Sequence, residues 1–151
     1  MRSSEVGTST RALRTIGVLV IVAGAVFAVA GVVTWFVVRD QLADENITVS
    51  DDADNFAGEP VDGPLTAYAQ ANTIERHGLE ASDGLTYAEL AQDDPRRDTV
   101  MTASFLRASL FTSVVAFGVA AFAFGVGVVL IIIGVALLRI RRRLEGPAEA
   151  S

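Results

Sequence analysis

The chain of 151 residues contains no cysteine and no lysine, and its single histidine is His77. Without cysteine there is no disulfide, no thiolate nucleophile and no Cys-ligated zinc. Without lysine, and with one histidine outside any nucleophile motif, covalent catalysis lacks its usual base. No glycine-rich phosphate loop follows a strand-like run. Charged residues make up 20% of the chain, below the roughly 25% of an average soluble domain. The net charge of −6 disfavours nucleic acid as a partner, because phosphate contacts need a basic surface. These absences argue against an enzyme and against any bound cofactor.

Charge is missing altogether from two long runs, Ile16–Val38 with 23 residues and Leu110–Leu138 with 29. About 18 or more consecutive uncharged, mainly apolar residues read as a transmembrane helix. The expected architecture is therefore an all-α membrane protein with spans at about 16–38 and 112–138. Ala28-Val29-Ala30 resembles a signal-peptidase site, but the apolar run continues past it through Trp35 and Val38. An uncleaved anchor is favoured, since a signal-peptide core extends only about 7–15 residues. Trp35 is expected near the outer interface, where an amphipathic ring is favoured.

Arginine sets the expected orientation. Arg2, Arg11 and Arg14 precede the first run, and Arg139, Arg141, Arg142 and Arg143 follow the second. Arginine-rich flanks stay cytoplasmic, so both termini read as cytoplasmic in a multi-pass protein of the plasma membrane. The partition is a tail 1–15, a span 16–38, an acidic extracytoplasmic segment 39–111, a span 112–138 and a basic tail 139–151. Residues 39–104 carry four arginines against 15 acids. Arg39 and Arg107, at the outer ends of the spans, argue the other way. The four arginines at 139–143 also suit anionic lipid headgroups.

The acidic segment has helix signals. Asp62-Gly63-Pro64 opens a helix over 64–77, closed by Gly78. Thr86-Tyr87-Ala88-Glu89 fits a capping box, with the Thr86 hydroxyl accepting from the Glu89 N–H and Glu89 reaching back, and a short helix should follow it, ending before Asp93. Asp94-Pro95 places an N-cap before proline at the first helical position, so one helix is expected from Pro95 to about Leu144, ended by Gly146-Pro147. Ile47-Thr48-Val49 reads as extended. Large apolar residues are too few for a self-sufficient core, so a small helical cap folding onto the outer helix ends is expected. The 64–77 helix has no clean apolar face, which argues against a membrane-surface helix.

Candidate chemistry is thin. His77 with Glu75 and Glu80 resembles the start of a metal site, but zinc and non-haem iron usually take two or three His or Cys ligands. Asp51-Asp52-Ala53-Asp54-Asn55 partly fits a calcium loop, yet Phe56 and Ala57 stand where the pattern needs other residues. Asn46-Ile47-Thr48 matches a glycosylation sequon, meaningful only in a eukaryotic secretory route. Each has a plainer reading as solvated surface, and no metal site is expected.

The clearest pattern is one of small residues. At about 100° per residue, Gly17, Gly24, Ala28 and Gly31 share one stripe of the first span. The second span has two stripes. Ala116, Ala120, Ala123, Gly127 and Gly134 lie together, and Gly118, Ala121, Gly125 and Ala136 lie on the far side. Small residues let helices approach closely in lipid. One stripe can take the first span of the same chain. The other is left for another membrane helix, from a second copy or a different membrane protein. The alternative is that Gly and Ala are simply common in membrane helices.

The stretches Gly63–Ala71, Thr86–Leu90, Asp94–Arg96 and Ala103–Ala120 resemble a family of small two-span actinobacterial membrane proteins of unknown function, over about residues 12–140. Members are often labelled as an aromatic-ring-opening dioxygenase small subunit. That label implies iron held by histidines and a carboxylate, which one histidine does not furnish. The resemblance brings no activity and no site residues. The favoured expectation is a non-enzymatic structural or accessory partner in the cell envelope, with the lipid bilayer and another membrane helix as its contacts. An extracytoplasmic sensor or ligand-binding protein is the second expectation, weakened by flanks of about 15 and 13 residues that offer little output surface. A dioxygenase subunit is the third.

Overall fold

The computed structural model describes residues 2–145, with side chains over 11–143. It has three helices: α1 (Arg2–Asp44), α2 (Pro64–Glu80) and α3 (Arg97–Glu145). The expected terminator Gly146-Pro147 lies outside the described residues. Contacts divide the chain into two units. Unit 1 joins the chain up to Val33 with the chain from Ala120 onward; unit 2 is Thr34–Val119. Two stretches, Arg11–Asp44 and Arg97–Arg143, are long and apolar enough to cross a membrane. Only 17% and 11% of their most apolar windows are buried, whereas the core helix of a soluble domain hides most of its surface.

In unit 1, α1 and α3 run antiparallel and meet through glycine. A Cβ placed on Gly24 would stand 2.6 Å from the Gly127 carbonyl oxygen, and one on Gly127 would stand 2.5 Å from the Ala28 nitrogen. On Gly31 it would meet the Ala120 carbonyl oxygen at 2.6 Å, and on Gly134 the Gly17 carbonyl oxygen at 2.7 Å. These are backbone atoms, so nothing can move aside cheaply. The glycine hydrogen that replaces each Cβ instead points at a facing carbonyl, the geometry of a Cα–H···O contact. The rungs Gly17/Gly134, Gly24/Gly127 and Gly31/Ala120 step by seven residues on both helices. A seven-residue repeat keeps one seam facing its partner. Ile21, Ile131 and Leu138 border the seam, while Leu19, Val26, Val29, Phe122 and Ile132 are exposed.

Unit 2 is built on the last turns of α1, on α2 and on the first half of α3. Leu42, Val49, Val61, Ala67, Ala71, Leu110 and Phe117 form its core. Trp35 meets Phe117 edge-on, with ring centroids 4.8 Å apart. α1 ends at Asp44, and the turn after it places Asn46 at φ 51°, the left-handed conformation that asparagine tolerates. The Asn46 N–H donates to the Ala43 carbonyl, and its side-chain amide to that of Asp44. The chain then runs extended: Val49 N–H donates to Glu59 O at 2.9 Å and Val61 N–H to Ile47 O at 2.8 Å, around the single bridge Thr48–Pro60. Gly63 caps α2 ahead of Pro64, and the Thr66 hydroxyl accepts from the Gly63 N–H. The buried face of α2 consists of small and polar residues, among them Thr66, Ala67, Gln70, Ala71 and Thr73.

Three local expectations are corrected. Gly78 does not close α2, which continues to Glu80. Its missing Cβ makes room for α3, because a Cβ there would lie 3.0 Å from the Ala103 Cβ. The C-cap is Ala81, whose N–H donates to His77 O at 3.0 Å, and the turn that follows is closed by Gly84, φ 83°, whose N–H donates to Leu79 O at 2.7 Å. Second, the Thr86 box forms only in half. Glu89 does reach back to the Thr86 N–H at 2.8 Å, but the Thr86 hydroxyl donates to the same carboxylate at 2.7 Å rather than accepting from the Glu89 N–H. No helix follows, only turns. Third, α3 begins at Arg97, two residues after Pro95. The Asp94 carboxylate still caps this end, accepting from the Arg96 N–H at 2.8 Å.

The seam makes a direct prediction. Gly127→Ala overpacks it against backbone and should destabilise the protein by about 1–3 kcal/mol. Gly125, with nothing within 4 Å of a Cβ, should tolerate alanine to within about 0.5 kcal/mol. Thermal unfolding of both variants in the same detergent checks the contrast.

Candidate functional site

Unit 2 carries five arginines against fifteen acids, and each of the five arginines has a specific seat. Arg39 on α1 pairs with Asp62 at 2.8 Å. Arg107 on α3 pairs with Glu75 on α2 at 2.9 Å and lies over the Phe111 ring, while its Nε is buried without a partner. Arg76 reaches the Asp52 carboxylate at 3.1 Å and the Asp52 carbonyl at 2.7 Å. Arg96 bridges Asp94 and Asp83, both at 2.7 Å. Arg97 donates to the carbonyls of Leu90 and Tyr87 and sits 4.0 Å over the Tyr87 ring. These contacts pin the irregular segments 47–62 and 81–96 to the helices.

The pairs shift the ionisation of their members. Hydrogen bonds from the Arg96 side chain and N–H hold the Asp94 carboxyl down at about 2. Asp52 is lowered first by its hydrogen bond with His77, and Glu89 by the N–H and hydroxyl of Thr86. The Asp62 carboxylate raises Arg39, and that of Asp94 raises Arg96.

The candidates for metal chemistry do not converge. His77 Nε2 lies 2.6 Å from an Asp52 oxygen, and Glu75 is occupied by Arg107. Among the described residues no three His, Asp or Glu side chains gather as metal ligands. The Asp51–Asn55 loop turns Asp52 towards Arg76 and His77 on α2. Asn46 is engaged in the turn after α1. None of these partnerships was visible in the sequence, because Asp52 and His77 are 25 residues apart and no local pattern links them.

The small-residue candidates fall into two sets. Gly17, Gly24, Gly31, Ala120, Gly127 and Gly134 are buried, and Ala28, Ala116 and Ala123 are half-buried. Gly118, Ala121, Gly125 and Ala136 are exposed, with open space at Gly118 and Gly125. The exact seven-residue pairing of the seam escaped sequence reading; the matching intervals 17, 24, 31 and 120, 127, 134 were the available signal. Trp35 is half-buried beside Phe117. Arg139 and Arg143 border an apolar depression on α3 with Ile132 and Ile140, while Arg141 is engaged; the Arg142 side chain is exposed.

Comparison with protein-family models, curated proteins and solved structures finds no match for this chain.

The Asp94 cap sets a pH dependence. Its folded pKa lies below the ordinary value, so its contribution is complete above about pH 4 and is lost as pH falls towards 2. The thermal midpoint should stay level from about pH 7 to 5 and drop below about pH 4, with a shallower drop in Asp94→Ala. Circular dichroism melts across that range provide the measurement.

Proposed function

We propose that the protein is a two-span membrane protein of the cell envelope that acts as a non-enzymatic accessory partner, docking another membrane helix on the Gly118/Gly125 face of α3. The observation that carries this reading is the division of small residues on α3. One set is consumed by α1 in the same chain, and the other meets nothing within 4 Å at its glycines. In hydrocarbon, close packing rather than apolar burial brings helices together, so an open glycine face on an exposed apolar helix suits a partner helix.

The orientation follows from the arginines. Arg2, Arg11, Arg14, Arg139, Arg141, Arg142 and Arg143 keep both ends in the cytoplasm, and the acidic segment 39–111 faces outward. Arg39 and Arg107, the two that oppose this arrangement, are each joined to an acid, so they leave with a compensating charge. Trp35 then lies at the outer interface. The dioxygenase label is not adopted, since it asks for an iron site with more histidines than His77 alone.

Two measurements test the proposal. The chain has no cysteine, so Asn55→Cys should react with a membrane-impermeant thiol reagent in intact cells, while Ala148→Cys reacts only after permeabilisation; the reverse pattern refutes the orientation. In native-membrane crosslinking, Gly125→Leu should abolish a dimer or partner band that survives Gly118→Ser. If Gly125→Leu leaves every band in place, the open face meets only lipid.

A further inference from the structure

Within unit 2, a cavity of about 710 Å³ opens between the last turns of α1, α2 and α3. That size lies in the usual range for a small organic ligand, about 300–1,000 Å³. Its apolar wall includes Leu42, Ile74, Leu106 and Leu110, and its polar lining includes Gln70, Asp44 and Glu45.

Gln70 is 8% exposed. Its Oε1 accepts from the Ser50 N–H at 2.9 Å and from the Ser50 hydroxyl at 3.2 Å. A backbone N–H can only donate, so this contact fixes which end of the amide is oxygen. The Nε2 group is therefore the free end, a donor in a cavity wall with no acceptor among the described residues.

Asp44 and Glu45 stand on the same lining, and neither forms an ion pair among the described residues. The arginines of the unit are already seated: Arg39 on Asp62, Arg76 on Asp52, Arg96 on Asp94 and Asp83, Arg97 over Tyr87, Arg107 on Glu75. Among the described residues, each arginine of unit 2 is thus seated on a group other than these two carboxylates. Their field favours a positive ligand and repels free phosphate and other anions. Apolar walls, two carboxylates and the free Gln70 donor, with Gln41, Ser109 and Ser113 as further polar lining, suit an amine that also carries an acceptor oxygen.

We infer that this cavity binds an organic amine, with its ammonium at Asp44 and Glu45, its apolar body against Leu106 and Leu110, and an acceptor oxygen at the Gln70 amide. The ammonium-and-oxygen pattern occurs both in free amphiphilic amines and in the ethanolamine headgroup of a lipid, and the test separates these sources. The inference does not depend on the proposed docking at Gly118 and Gly125.

The probe is 2-(4-fluorophenoxy)ethylamine, followed by fluorine NMR with the full chain in phosphatidylcholine nanodiscs and with empty nanodiscs as the blank. Saturable binding is expected, about tenfold tighter than that of the neutral alcohol of the same shape. The double variant Asp44→Asn, Glu45→Gln should lose that preference. Leu106→Trp, which fills the cavity and leaves both carboxylates, should lose binding and guards against misfolding of the double variant. Gln70→Glu keeps the acceptor for Ser50 but removes the donor. It should erase a preference of about three- to tenfold for the phenoxy probe over the analogue with a methylene in place of oxygen. If phosphatidylethanolamine in the nanodisc competes with the probe, the natural source is lipid; if it does not, the source is a free amine. Non-saturable uptake, equal binding of the neutral alcohol, or unchanged binding in Leu106→Trp would overturn the inference.

Discussion

Close backbone approach at glycine is the constraint on which unit 1 depends. At Gly24/Gly127, Gly17/Gly134 and Gly31/Ala120 the helices are separated by less than the width of one added carbon. Two consequences follow from that distance. Each glycine places a Cα hydrogen against a carbonyl, a weak contact worth about 0.5–1 kcal/mol. The larger side chains beside the seam, such as Ile21 and Ile131, are drawn into van der Waals range of the opposite helix. For helices proposed to lie in lipid, where apolar surface gains nothing by burial, this density is the source of stability.

Unit 2 is stabilised by different means. Its core is small, and much of α2's buried face is alanine, threonine and glutamine. Ordering of its long connections comes from arginines that donate to several acceptors at once. Arg96 holds Asp94, which caps α3, and also Asp83 in the turn after α2. Arg97 closes on the carbonyls of 87 and 90. Exposed ion pairs contribute little singly, but Arg76 and Arg97 also donate to loop carbonyls, and the Asp94 that Arg96 holds accepts at the start of α3.

What could be read from the sequence was whatever depends on local period. The apolar runs 16–38 and 110–138 needed only counting, and the caps at Asp62-Gly63-Pro64 and Asp94-Pro95 were local chemistry. Gly78 was misread because glycine serves two ends, terminating a helix or admitting a neighbour, and sequence cannot show Ala103 facing it. The Thr86 box failed to nucleate a helix because the hydroxyl and the N–H of Thr86 both spend themselves on one carboxylate. The partners Asp52–His77, Arg107–Glu75 and Gln70–Ser50 join residues from 20 to 32 positions apart, and no periodicity encodes them. Ile47–Val49 was legible as extended; the single bridge from Thr48 to Pro60 was not.

The regular spacing of the seam has a further consequence. A pattern that repeats every seven residues on both helices fixes separation and rotation, but it fixes sliding only modulo one repeat. Displacing α3 along α1 by about 10 Å would set Gly24 against Gly134 and Gly31 against Gly127, keeping two rungs of three. The information that selects one register must therefore reside in residues that break the repeat. Ala120, standing where a third glycine would complete the series, is one of them, and the Leu138 side chain that reaches Gly17 is another. Symmetry-breaking side chains, rather than the glycines, choose among the otherwise equivalent positions of the two helices.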